Sequence, residues 1–183
     1  MADKTTGLAA VFDEHVRCEF VLRDVDATMR TMIANPHLTH VPTLTGGVGW
    51  AEVRDYYRDH FIGHWPADTK LVPISRTVGA DQVVDEFVLC FTHDVPMDTM
   101  LPGVAPTGRY VELPHVVIVK FEDGKVAHEH IYWDQASLLV QVGLLDPKTL
   151  PVTGAEQARK LLDVKQPTNA LLSRATTGPR PGR

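Results

Sequence analysis

The stretch "GRYVELPHVVIVKFEDGKVAHEHIYWD", Gly108 to Asp134, is two extended runs joined at Asp123-Gly124. An Asp-Gly pair between extended runs is a strong hairpin signal. The second run places His128, Glu129, His130, Tyr132, Trp133 and Asp134 within seven positions. A strand sends alternate side chains to opposite faces, so this cluster divides in two. Ile131 and Trp133 are the apolar alternates and suit an enclosed side, and Glu129 shares their face. His128, His130 and Tyr132 then face the other way. Asp134 begins "DQASLLVQVG", where it reads as the N-cap of a helix that Gly143 ends.

Working outward, "TKLVPISRTVGADQVVDEFVLCFTHD" alternates around a turn at Gly79-Ala80-Asp81 and reads as a second strand pair. A long loop with three prolines, "DVPMDTMLPGVAPTG", joins the two pairs. Three helices precede them. The first is "GLAAVFDEHVRCEFVLR", with Phe12, Val16 and Phe20 at helical spacing. The second is "RDVDATMRTMIANP", capped by Asp24, with Met29, Met32 and Ile33 buried and Pro36 as its end. After the extended "HLTHVPTL", Gly46-Gly47 opens the third, "GWAEVRDYYRDHFIGH", which Pro66 ends. "TGAEQARKLLD" is one more short helix. Helices first and strands after give an α+β fold: N-terminal helices packed on a curved antiparallel sheet that encloses a pocket. Residues 1–165 form one domain, and 166–183 form an extended or disordered tail.

Composition narrows the function. The chain has 183 residues, 44% of them hydrophobic and 22% charged, as in an ordinary globular domain. A net charge of −5 gives no footprint for nucleic acid and no polybasic face for an anionic membrane. "MADKTTGLAAVFDEH" has no apolar secretory core, and no apolar run reaches membrane-span length. Cys18 and Cys90 lack CxxC spacing and read as reduced, buried thiols, so the expected location is the cytoplasm. There is no GxSxG elbow, no Walker A sequence and no GxGxxG after a strand. No cofactor is indicated.

Three stretches, "TGGVGWAEVRDYY", "LPGVAPTGRYVEL" and "DGKVAHEHIYWDQASLLVQVG", carry a resemblance to the nuclear transport factor 2-like superfamily and, within it, to the SnoaL-like polyketide cyclases. It covers residues 8 to about 145. The resemblance implies a cone-shaped, cystatin-like fold whose last strand turns Glu129, Ile131 and Trp133 into a pocket. It also exposes a departure. The cyclases' acid–base Asp aligns with Ile131, and their pocket His aligns with Val117. Neither residue moves a proton.

The acid and base must then lie elsewhere. By the resemblance, His40 falls where ketosteroid isomerases carry a general-base Asp, and a neutral His is an ordinary general base. Its bland reading is a ring bonded to backbone in a tight segment. Glu129 lies on an apolar face, where desolvation raises a carboxyl pKa; the competing reading is a salt bridge to an Arg or His of the first helix. His15 and Glu19 share a helix face at i, i+4, either turned into the cone or solvated. Tyr57 and His60, at i, i+3, offer one residue to the cone.

The catalytic candidates are therefore His40, Glu129, His60 and Glu19. His15, Phe12, Val16 and Tyr57 are expected to bind substrate from the helices. From the sheet, strand parity adds Phe87, Phe91, His93, His115, Val117, Ile131 and Trp133. A divalent metal on His15, Glu19, His40 and Glu129 is a minority reading without compact ligand spacing. The expected function is cofactor-independent acid–base chemistry, as an isomerase, cyclase, dehydratase or hydrolase, on a small apolar carbonyl-bearing or cyclic molecule. The alternative is a non-catalytic ligand-binding or oligomerisation module of the same fold. Val88, Val116 and Ile118, on the parity opposite the cone, suggest a homodimer through the outer sheet face.

Overall fold

A computed structural model describes residues 2–177. Six strands form one sheet in the order β2-β1-β6-β5-β4-β3. They span Met32–His40 (β1), Thr45–Val48 (β2), Lys70–Val78 (β3), Gln82–Thr92 (β4), Tyr110–Glu122 (β5) and Lys125–Trp133 (β6). All neighbouring pairs are antiparallel except β1 and β6, which run parallel, so the sheet is mixed rather than antiparallel throughout. The helices α1 (Ala2–Arg17), α2 (Val25–Arg30) and α3 (Gly49–Tyr56) pack on its concave face. The last three helices are α4 (Gln135–Gln141), α5 (Glu156–Leu162) and α6 (Ala170–Thr177). Among the described residues no helix is long and apolar enough to cross a membrane.

The β5–β6 hairpin is the spine of the fold. β5 alternates buried and half-exposed residues along its whole length, with Val111, Leu113, His115, Val117, Val119 and Phe121 inward. Asp123 and Gly124 both have positive φ (51° and 74°), the geometry of a two-residue hairpin turn. The register slips between Lys120 and Phe121, where Ala127 is the extra residue of a bulge in β6. The bulge puts Val126 and Glu129 on the same inward side despite their odd spacing.

The second helix is shorter than the periodicity suggests. Asp24 caps it by accepting from Ala27 N at 2.9 Å. It ends at Arg30 because Thr31 turns its hydroxyl back on the Thr28 carbonyl (2.6 Å) while its own carbonyl accepts from Val126 N (2.9 Å) in the sheet. Met29 and Met32 are buried as expected, but Met32 is already strand and Ile33 is only half-buried. Pro36 lies inside β1, in the interval where pairing with β6 lapses. Gly46 and Gly47 form β2 rather than opening α3. A Cβ on Gly46 would sit 2.0 Å from the Leu38 carbonyl oxygen, so β2 approaches β1 closely only with glycine there.

Two ends correct the expected organisation. Ala170–Thr177 is helical, and Arg174 donates to the carbonyls of Pro147 and Leu150 (both 2.8 Å); residues 178–183 lie outside the described residues. Val88 is not on a free outer strip, because α5 lays Ala158 over it and Cys90.

Candidate active site

The sheet and the helices α1 and α3 enclose a cavity of about 270 Å³. Its wall is mainly apolar, and polar groups gather at its base and mouth. At the mouth, Arg76 of β3 binds Asp85 of β4 (2.6 Å) and Asp13 of α1 (2.7 Å), and its guanidinium lies 5.5 Å from the Phe12 ring.

At the base, α1, the π-turns that continue α1 and α3, and β6 bring together His15, Glu19, Tyr57 and Glu129. All four are buried. The α1 chain widens into a π-turn at Cys18–Leu22, yet His15 and Glu19 remain in contact, with Nε2 to Oε1 at 3.2 Å. His15 Nε2 also lies 3.3 Å from Glu129 Oε2. The Tyr57 hydroxyl donates to that same oxygen at 3.0 Å.

The proton on His15 follows from its other nitrogen. Thr31 has one hydroxyl hydrogen, already given to the Thr28 carbonyl, so at 2.5 Å it accepts from His15 Nδ1–H. Nε2 faces two carboxyl oxygens and is best satisfied as a second N–H. The ring is therefore an imidazolium. Burial opposes that charge, but Glu129 and Glu19 outweigh it and hold the His15 pKa well above the ordinary value.

The two carboxyls diverge. Burial pushes both upward. At Glu129, the His15 charge and the hydrogen bonds from His15 and Tyr57 reverse this, so it is held below the usual carboxylate value. At Glu19, burial wins and the pKa is raised. The expectation that desolvation raises Glu129 is thus corrected: its partner on the first helix is present, and Glu19 is the carboxyl driven toward its acid form.

Two neutral histidines face this cluster. Thr99 Oγ1 donates to the His60 carbonyl (3.0 Å), so it accepts from the Tyr56 hydroxyl (2.8 Å), which in turn accepts from His40 Nδ1–H (3.1 Å). This chain fixes the tautomer and leaves Nε2 as the lone pair of a ring that lines the cavity. Burial lowers the His40 pKa to about 4. His115 donates Nδ1–H to the Leu113 carbonyl (3.0 Å) and lies stacked between Phe87 and Trp133. Burial takes it to about 4 as well.

Of the expected residues, Phe12, Val16, Glu19, His40 and Tyr57 line the cavity from the helical side and β1. Phe87, His115, Val117, Glu129 and Ile131 line it from the sheet. His15 is fully buried just behind them, as the centre of the proton network.

Four residues sit elsewhere. His60 is half-exposed and binds Asp98 at 3.3 Å. The π-turn Tyr57–Phe61, closed by Ile62 N to the Tyr57 carbonyl at 2.8 Å, brings Phe61 rather than His60 onto Tyr57's face. Phe91 is buried core beyond the cavity's end. His93 is buried at the end of β4, with Nδ1 near Thr107 Oγ1 (3.2 Å). Trp133 packs its ring behind His40 and His115 and donates to Gln135 Oε1 (2.6 Å). Asp134 accepts from Ala136 N and Ser137 N, as an N-cap does.

Sequence reading missed Trp65, Thr31 and the Arg76 clasp. Trp65 lines the cavity, and its Nε1–H is buried without a partner among the described residues. A buried donor left open is uncommon and marks a place for an acceptor. The sequence offered one hint, a lone Trp directly before the proline that ends the helical segment. His15, Glu19 and Glu129 place ligand-type atoms within 4.8 Å of one another, and His40 does not join them.

No family model and no curated protein matches the chain. Solved structures do match in fold. A provisionally assigned SnoaL-like polyketide cyclase from Jannaschia sp. CCS1 is 19% identical with a TM-score of 0.63, over 80% of this chain and 98% of that one. An NTF2-like protein of unknown function from Burkholderia pseudomallei K96243 is 20% identical with a TM-score of 0.57, over 75% and 98%. The epoxide hydrolase/cyclase-like enzyme SalBIII, with a role in pyran ring formation in the polyether salinomycin, is 17% identical with a TM-score of 0.52, over 73% and 95%. The fold is therefore NTF2-like.

Proposed function

We propose that the protein is an acid–base enzyme acting on a small, largely apolar molecule that carries a carbonyl, epoxide or cyclic ether oxygen. One observation carries this reading. A buried network in which two carboxyls share one imidazolium opens on an apolar cavity whose wall also presents a neutral His40. A raised carboxyl and a neutral imidazole on one apolar site are an acid and a base held apart in protonation state.

In this reading Glu19, in its acid form, donates to the substrate oxygen as negative charge develops there. His40 Nε2 accepts the proton that leaves carbon or an attacking water. Its low basicity suits a partner whose acidity rises as the oxygen is protonated. The His15–Glu129 ion pair and Tyr57 hold Glu19 in place and supply the return proton. The open Nε1–H of Trp65 orients a second acceptor on the substrate. Isomerisation, dehydration, cyclisation and epoxide opening all use this pair. The likeness to SalBIII favours the last two. The SnoaL-like branch is part of the same proposal.

The test needs no known substrate. Unsaturated cyclic ketones and terpenoid epoxides are incubated with enzyme in D₂O and followed by NMR. Deuterium exchange, isomerisation or ring opening that Glu19→Gln reduces supports the proposal; no turnover across the panel contradicts it.

A second reading rests on the same cluster. His15 Nε2, Glu19 and Glu129 bring three ligand-type atoms within 4.8 Å of one another, with Nδ1 anchored by Thr31 as in a ligand histidine. A divalent ion there would polarise the substrate oxygen in place of the Glu19 proton. Activity that EDTA abolishes and added metal restores favours it.

We also propose a homodimer through the outer sheet face, where Val116 and Ile118 remain half-exposed beyond the edge of α5. Sedimentation of a single species at monomer mass at micromolar concentration opposes this.

A further inference from the structure

On the sheet face turned away from the cavity, three histidines stand together. His37 lies on β1, and His128 and His130 lie on β6. The parallel register pairs His37 directly with His128, and His130 follows two residues along the same face. Their rings are 4.4 Å apart for His37 and His128, 4.5 Å for His128 and His130, and 5.5 Å for His37 and His130. Each offers a ring nitrogen within 4.8 Å of the others. No ring nitrogen of the three has a hydrogen-bond partner among the described residues, and all three side chains are half-buried.

We propose that this cluster is a binding site for one borderline divalent transition-metal ion, with Zn²⁺ as the representative species. Three imidazoles select Zn²⁺, Cu²⁺ or Ni²⁺ over the oxygen-seeking Ca²⁺ and Mg²⁺. At a Zn–N distance of about 2.0–2.1 Å, tetrahedral geometry sets the nitrogens roughly 3.4 Å apart. Small χ rotations of half-exposed rings reach that spacing. The backbone ladder already holds the three Cα positions, so the ion has little chain to order. The fourth position points away from the sheet and takes water.

The site clamps the one parallel strand pair in the sheet. That pair carries His40 three residues after His37, and Glu129 between the two β6 histidines, both turned to the cavity. A bound ion therefore stiffens the strands that hold the candidate base and the candidate counter-ion.

The test uses tag-free, metal-stripped full-length protein titrated with ZnCl₂ by calorimetry. The wild type is expected to bind one Zn²⁺ per chain, and saturating zinc is expected to raise Tm by several degrees. His128→Gln and His130→Gln should each weaken binding by at least about tenfold, and the triple variant with His37→Gln should abolish it. Copper EPR should show coupling to three nitrogens in the wild type. Lack of zinc binding by the wild type overturns the proposal, as does a triple variant that binds zinc as the wild type does. Binding that survives in the triple variant and disappears in Glu19→Gln assigns the ion to the cavity and also overturns it.

Discussion

Glu19→Gln keeps the shape of the side chain and removes its proton, so it isolates the acid role. With a substrate in hand, kcat is expected to fall by roughly 10²–10⁴. Glu129→Gln acts differently. It leaves the His15 charge with Glu19 as its remaining carboxylate, so Glu19 becomes the counter-ion and its pKa falls. The alkaline limb of the pH–rate profile, where the Glu19 acid loses its proton, should move to lower pH, a shift that loss of packing alone does not cause. Tyr57→Phe removes the hydroxyl that satisfies Glu129 Oε2 in a dry site and is expected to cost about 1–3 kcal/mol in urea unfolding. The burial of Glu129 beside Ile131, and the outward turn of His128 and His130, were legible from strand parity, the apolar alternates Ile131 and Trp133, and the family resemblance taken together. The sign of the Glu129 shift was not. It depends on His15 and Tyr57, which reach it from elements far away in sequence, and no spacing rule joins the three.

At the scale of elements, the β5–β6 hairpin was the most legible part, because period-two burial and an Asp-Gly turn agree. The α4 cap was equally readable. Asp134 accepts from two backbone amides, so Asp134→Ala is expected to destabilise the fold by about 1 kcal/mol, while Asp134→Asn should be close to neutral. Chemical denaturation of the two variants separates the cap from any role in turnover. Helix ends were harder. Met29 and Met32 satisfy helical spacing, yet the chain leaves the helix after Arg30 because Thr31 and the sheet compete for its backbone. His60 shows the same difficulty. A π-turn shifts the face of α3 by one residue, and nothing in "DYYRDHF" announces it. The parallel pairing of β1 with β6 was also hidden, since extended runs do not reveal their direction of pairing.

For the whole molecule, the buried histidines govern stability against pH. In the fold His40 and His115 take up protons only at about pH 4, whereas unfolded imidazoles do so near 6.5. Between these values the unfolded chain binds more protons, so this stability is present above pH 6.5 and lost as pH falls toward 4. Each ring contributes about 3 kcal/mol over that window. Glu129, lowered, adds a further loss below 4.5. His15 has the opposite sign: its raised pKa stabilises the fold below 6.5 and the benefit is lost as pH rises through the folded value. Glu19, raised, also subtracts stability as pH climbs above 4.5. The sum is a dome with its top near pH 6.5, measurable as Tm against pH, and His115→Gln should flatten its acid side by about one proton.

The fold keeps one imidazole charged and two neutral within a single apolar site. Heteronuclear NMR of ¹⁵N-histidine-labelled protein reads each ring's protonation directly. His15 is expected to show two protonated nitrogens at pH 8, while His40 and His115 retain a protonated Nδ1 and a bare Nε2 at pH 5.5. A His15 ring with a bare nitrogen at pH 8, or His40 already charged at pH 5.5, would contradict the proton network and the acid–base function built on it.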